Sequence, residues 1–159
     1  MFLSQNPADV AALRLSAHWQ LASGDYDAAV DTLEGLRARI GDRDAALNAD
    51  LAMAYAGSGD AQSADEYGEA AYRLAPANPA AADAYGWALF VGGDNAGALE
   101  LLQKAVVLAP RHSGLRWHLA QVYAALNRKP DARAQAQAAL ADPGFADRAA
   151  AAALVAKLS

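Results

Sequence analysis

The side chains able to do acid, base or metal chemistry in this 159-residue chain are few and scattered. His18, His112 and His118 are its only imidazoles, and the absence of cysteine removes thiolate nucleophiles and thiolate metal sites together. None of the histidines stands in an HExxH pattern or at a carboxylate spacing that organises a metal, and no Gly-x-Ser-x-Gly, P-loop or dinucleotide fingerprint occurs. The acidic pairs Asp25-x-Asp27, Asp42-x-Asp44 and Asp65-Glu66 have the residue type for general acid–base work. Each stands at or near an expected helix start, however, where carboxylates complement the helix dipole, so capping is the better reading. Gly92-Gly93 reads as a turn. The residues thus point to no catalytic group, no metal and no cofactor, and the three histidines read as surface or groove residues.

The elements that would have to position any site are apolar ones. With 55% hydrophobic and 19% charged residues the chain has material for a real core, and 45 of its residues are alanine. No apolar stretch runs long enough without a charge to cross a bilayer. The net charge of -5 argues against nucleic-acid binding, which needs a basic surface to neutralise phosphate. That total hides an asymmetry: residues 1–100 carry 15 acidic and 5 basic side chains, and residues 101–159 carry 3 acidic and 8 basic. Such a polarised molecule can meet an acidic partner, or the acidic end of a second copy, with its basic end; solvated helix faces with uneven drift are the plain alternative. Met1-Phe2-Leu3 is followed by Ser4, Gln5, Asn6, Pro7 and Asp9, with neither a basic leader nor an apolar core, so no signal peptide is expected. Cysteine-free chains suit reducing and oxidising compartments alike, leaving cytoplasm and periplasm both open.

A period of 34 residues organises the chain. Ala52, Gly86 and Ala120 keep that spacing, with Ala17 displaced by one extra residue. Three further columns share it: Gly24, Gly59, Gly93 and Asn127; Ala29, Ala64, Ala98 and Ala132; Leu36, Ala71, Ala105 and Ala139. Pro76 and Pro110 are again 34 apart. Alanine richness explains neither the prolines nor the recurring Gly-Asp.

Each unit reads as two helices. In the third, Tyr85, Ala88 and Leu89 lie at helical spacing before Gly92-Gly93-Asp94, and Ala98, Leu99, Leu102, Ala105 and Val106 do so before Pro110. Gly93 suits a left-handed helix end, Asp94 or Asn95 caps the next helix, and Pro110 stops it. Methyl groups at the crossing let two short antiparallel helices approach closely. A hairpin of this kind leaves one apolar flank uncovered, so copies stack into a quasi-one-dimensional solenoid. The expected units are 10–44, 45–78, 79–112 and 113–146, followed by a ninth, capping helix over 145–158 rich in alanine with Leu154, Val155 and Leu158.

This pattern resembles the tetratricopeptide repeat. Pro79 to His112 matches best, with Gly86, Gly93-Asp94, Ala98, Ala105 and Pro110 in place. Ala45 to Asn78 keeps Leu51, Ala52, Tyr55, Gly59-Asp60, Ala64, Ala71 and Pro76. Ser113 to Ala146 keeps Leu119, Ala120, Tyr123, Ala132 and Ala139, with Asn127-Arg128 where Gly-Asp is usual. The first unit is loosest: it keeps Ala17, Gly24-Asp25-Tyr26 and Ala29, but Gln20 fills the aromatic column and no proline closes it. The opening column holds Leu13, Asn48, Ala82 and Arg116 instead of tryptophan, and Gly68 replaces a bulky residue at what reads as an exposed helix position, a soft spot. Asp83 to Leu140 also resembles the final repeats of large bacterial periplasmic or lipoprotein members of the family.

The resemblance implies an all-α, right-handed α-α superhelix of four hairpins plus a capping helix, acting as a non-enzymatic scaffold for a partner peptide or helix. In the family the first helices line the concave face. Tyr85, Gly86 and Leu89 then take the packing stripe, and Asp83, Trp87, Phe90 and Val91 point into the groove. The other units contribute Trp117, His118 and Gln121, Ala49 and Met53, and Arg14 and His18, with Trp87 and Trp117 expected as neighbours. These aromatics are of the type that anchors a ligand; alternatively they pack on one another and stiffen the rod. Basic groove residues are sparse, so an apolar or amphipathic segment fits better than an acidic tail. The alternative role is a structural end segment of a longer solenoid, or a head-to-tail self-associating module.

Overall fold

The computed structural model describes residues 7–159, and the reading of Met1 to Asn6 as lacking a leader lies outside the described residues. Those residues form nine helices and no strand. In chain order they are α1 (Pro7–Ser23), α2 (Tyr26–Ile40), α3 (Ala45–Ser58), α4 (Ala61–Leu74), α5 (Pro79–Val91), α6 (Asn95–Leu108), α7 (Ser113–Ala125), α8 (Lys129–Leu140) and α9 (Arg148–Lys157). None is long and apolar enough to cross a membrane.

Local chemistry sets these boundaries. The Asp44, Asp60 and Asp94 carboxylates accept from the backbone N–H of Leu47, Ser63 and Gly97 at 2.9–3.0 Å, and Asn78 caps α5 ahead of Pro79. Gly59 and Gly93 end their helices at φ +92° and +94°, which a side chain would strain. Asn127 fills the same position in the fourth unit at φ 58°, as the residue type that best tolerates it after glycine. Asp65 and Glu66 are corrected: they lie in the second turn of α4 and cap nothing.

Each helix packs on its chain neighbours, and α3 also meets α5, and α5 meets α7. The recurring small residues sit at these crossings. Ala29, Ala52, Ala64, Ala71, Ala98, Ala105, Ala120, Ala132 and Ala139 are all fully buried. Gly86 takes this further, because a Cβ there would lie 3.0 Å from Leu102 Cγ. Gly68 differs from the expectation of an exposed soft spot. It is buried, and a Cβ would come within 2.9 Å of the Tyr85 Cα, so glycine is what lets α4 lie against α5. Larger side chains form two main clusters, one around Leu33, Leu36, Leu47 and Leu51, the other around Leu102, Leu115, Leu119 and Val122. Phe145, Ala139 and Ala151 fasten α9 over the last hairpin.

Candidate functional site

The first helix of each unit carries three side-chain columns that do different work. Arg14, Ala49, Asp83 and Trp117 form one, and all four reach toward the following unit. Arg14 Nη2 is 2.6 Å from Asp44 Oδ2, at the start of α3. Ala49 is only 6% exposed, clustered with Ala81 and Ala84 of α5, so it is no part of an open surface. Asp83 Oδ1 lies 2.6 Å from His118 Nδ1 on α7. Trp117 meets Phe145 edge-on with ring centroids 6.4 Å apart.

A second column, Asp50, Ala84 and His118, faces back toward the preceding unit. Burial pushes the Asp50 carboxyl up, against the opposing pull of His18 and Arg14. For His118 burial works to lower the pKa, but the charge and hydrogen bond of Asp83 override it and hold the ring above the ordinary histidine value.

His18, Met53, Trp87 and Gln121 make up the third column, the outward one, in which no member is fully buried. Trp87 stacks on the His118 ring at 4.3 Å and 21°, and tilts against Phe90 at 5.1 Å. Val91, one residue on, is 38% exposed. At the other end His18, Met53, Leu21, Ala22, Tyr26 and Asp50 line a hollow of about 300 Å³. Gln121 Nε2 donates to its own turn, at Trp117 O.

The structure therefore gathers Asp83, Trp87, Phe90 and His118 into one patch, and His18 with Met53 into another. Trp87 and Trp117, expected as neighbours, pack against different apolar clusters. The reason is register: Trp117 lies 34 residues after Asp83, not after Trp87, and so inherits the forward-facing position. His118, read from the sequence as a surface or groove residue, is half-buried and bonded to Asp83. Its bond to Asp83 spans 35 residues, one repeat plus one, a spacing that local motif searches do not test. Asp50 is not among the expected site residues, although it stands 34 residues before Ala84 and 68 before His118, so the register marks it as backward-facing. Chemically, the surface offers aromatic and thioether contact with the Asp83–His118 pair beneath it. Among the described residues no group of three or more His, Asp or Glu side chains gathers to hold a metal.

Comparison with known proteins agrees with the repeat. A sequence profile described as "Tetratricopeptide repeat" matches residues 89–158. The structure is similar to a thermophilic TPR protein, TTC0263 of Thermus thermophilus, at 26% identity and TM-score 0.77, over 97% of this chain and 85% of that one. It is also similar to the Sgt2 TPR domain from Aspergillus fumigatus (21% identity, 76% and 80% covered, TM-score 0.65). A third likeness is to the first TPR of Spaghetti (RPAP3) bound to the HSP90 peptide SRMEEVD (18% identity, 79% and 99% covered, TM-score 0.63). No curated protein sequence matches the chain. The chain is a tetratricopeptide-like helical repeat protein. Its fold is one that commonly serves as a scaffold for protein–protein interaction, and its relatives are in general non-catalytic.

Proposed function

We propose that this chain is a non-enzymatic interaction module that takes an apolar or amphipathic protein segment along the surface of α1, α3, α5 and α7. The observation that carries the reading is Trp87, set between His118 and Phe90 in the outward column and continued toward the first unit by Met53. An indole held by its neighbours loses little rotamer freedom when a ligand arrives, which is what makes such a residue an anchor. The outward column holds no lysine or arginine, and Arg14 is engaged with Asp44, so an acidic tail of the SRMEEVD kind has little to pair with.

The test is fluorescence anisotropy with labelled peptides: amphipathic helices of about 15 residues, and SRMEEVD as the acidic competitor. Trp87→Ala combined with Met53→Ala should weaken the amphipathic peptides about 30-fold, the effect of a hot-spot anchor. Trp117 is left intact because it holds Phe145. Preference for the acidic peptide, or unchanged affinity in the double variant with helicity retained, overturns the reading.

A further inference from the structure

The outer face of α1 breaks the periodicity of burial. Trp19 occupies the register position of Ala54, Ala88 and Val122, each fully buried against the preceding unit. Ala12 is the counterpart of Leu47, Ala81 and Leu115, all 3% exposed or less. Yet on α1 Ala12 is exposed, Leu15 is 60% exposed and Trp19 is 68% exposed. This face thus has the geometry by which every later first helix receives a second helix, and beside it Asp9, Ala12, Leu13, Ser16 and Arg39 line a hollow of about 490 Å³. A tryptophan and a leucine exposed side by side on one helix mark an interface.

The other end of the molecule supplies the complement. α9 turns Ala149, Ala153 and Ala156 to solvent, a low surface on which a large side chain can seat, and carries Arg148 and Lys157. The charge divides the same way: residues 101–159 have 8 basic and 3 acidic side chains, whereas Asp9, Asp25, Asp27 and Asp31 are all exposed in the first hairpin. We propose that Leu15 and Trp19 of one copy dock on the α9 end of a second copy, so that the chain associates head to tail. The contact is heterologous: one copy's head meets another's tail, leaving each end of a pair open to further copies. It is distinct from the surface assigned to the partner segment, and either can hold without the other.

Sedimentation velocity on the full chain tests this. The weight-average mass should rise at least twofold with concentration, and added salt should weaken the association about tenfold, since opposite charges steer it. Leu15→Ser with Trp19→Ser disables the head, and Ala153→Glu with Lys157→Glu disables the tail; each variant alone should stay monomeric. All four substitutions fall on exposed positions, and circular dichroism checks that both chains stay helical. Mixing the head and tail variants restores one productive contact and should give a dimer that stops there. A wild-type chain monomeric to about 1 mM overturns the proposal. So does association that survives the tail variant, which would mean head meeting head, or association gained only on removing residues 1–6, which would mean the chain covers its own face.

Discussion

Two opposing effects act on the His118 ring: burial pushes its pKa down, and the Asp83 carboxylate raises it above the ordinary histidine value. The ring is largely buried beneath Trp87, and the Asp83 carboxylate 2.6 Å away, helped by the charge of Asp147, favours the protonated form. Because the folded pKa lies above the ordinary value near 6.5, the pair adds stability fully below that value and loses it as pH rises through the raised one. Asp83→Asn should therefore cost about 2 kcal/mol near pH 5 to 6, with the gap to wild type narrowing toward higher pH in urea unfolding curves. A gap independent of pH would mean that Asp83 only packs. Glycine gives a second test at this scale. Gly68→Ala gains about 1 kcal/mol of helix propensity but forces a Cβ against the Tyr85 backbone, a clash worth about 2 kcal/mol, so the variant should be the less stable. Gly35 in α2 has nothing within 4 Å of its missing Cβ, and Gly35→Ala should raise stability by about 1 kcal/mol. The sequence does not distinguish these two glycines, because what separates them is the distance to another helix. It likewise shows His118 and Asp83 without showing that they touch.

Elements were far more legible. Gly-Asp punctuation, Pro79 and the alanine columns locate the helix ends closely, since caps, left-handed residues and crossings are all local or strictly periodic demands. The joint between the first two hairpins was not legible, because it is made by side chains from three helices. Glu34 of α2 accepts from Tyr55 Oη of α3 at 2.7 Å and Tyr67 Oη of α4 at 2.9 Å, and Arg37 Nε donates to it at 2.7 Å. The two tyrosine rings stack at 5.6 Å. Burial pushes Glu34 up, but these three donors together hold it below its usual value, while the tyrosine hydroxyls are raised by burial and by the bond to it. Glu34→Leu should release both tyrosines toward ordinary titration near pH 10, visible as tyrosinate absorbance, and lower stability by about 2 kcal/mol. Unaltered tyrosine titration would show that desolvation alone governs them. Nearby, Gln20 stands in the column of Tyr55 and Tyr123 with its carbonyl oxygen buried and unpaired by protein. Gln20→Leu removes that desolvated oxygen and should stabilise the first hairpin by about 1 kcal/mol.

For the whole molecule, the arrangement of the two large clusters decides how strain spreads. The cluster around Leu33, Leu36, Leu47 and Leu51 belongs to α1, α2 and α3, and that around Leu102, Leu115, Leu119 and Val122 to α6 and α7, with Ala82 of α5 and Ala132 of α8. Between them lie the alanine contacts of α3, α4 and α5, which are well fitted but thin, since a buried methyl forfeits most of the area that a leucine would remove from water. Contacts run only between near neighbours in the chain, so coupling between the ends must pass through this alanine region. Leu102→Ala, at a fully buried position, should cost about 3 kcal/mol locally. If stability is a sum of units and their joints, amide exchange should quicken through α5, α6, α7 and α8 while α1, α2 and α3 keep their protection. Uniform quickening across all helices would show instead that the alanine joints transmit as strongly as the leucine clusters, and the molecule would then unfold as one cooperative body rather than from the weaker middle outward.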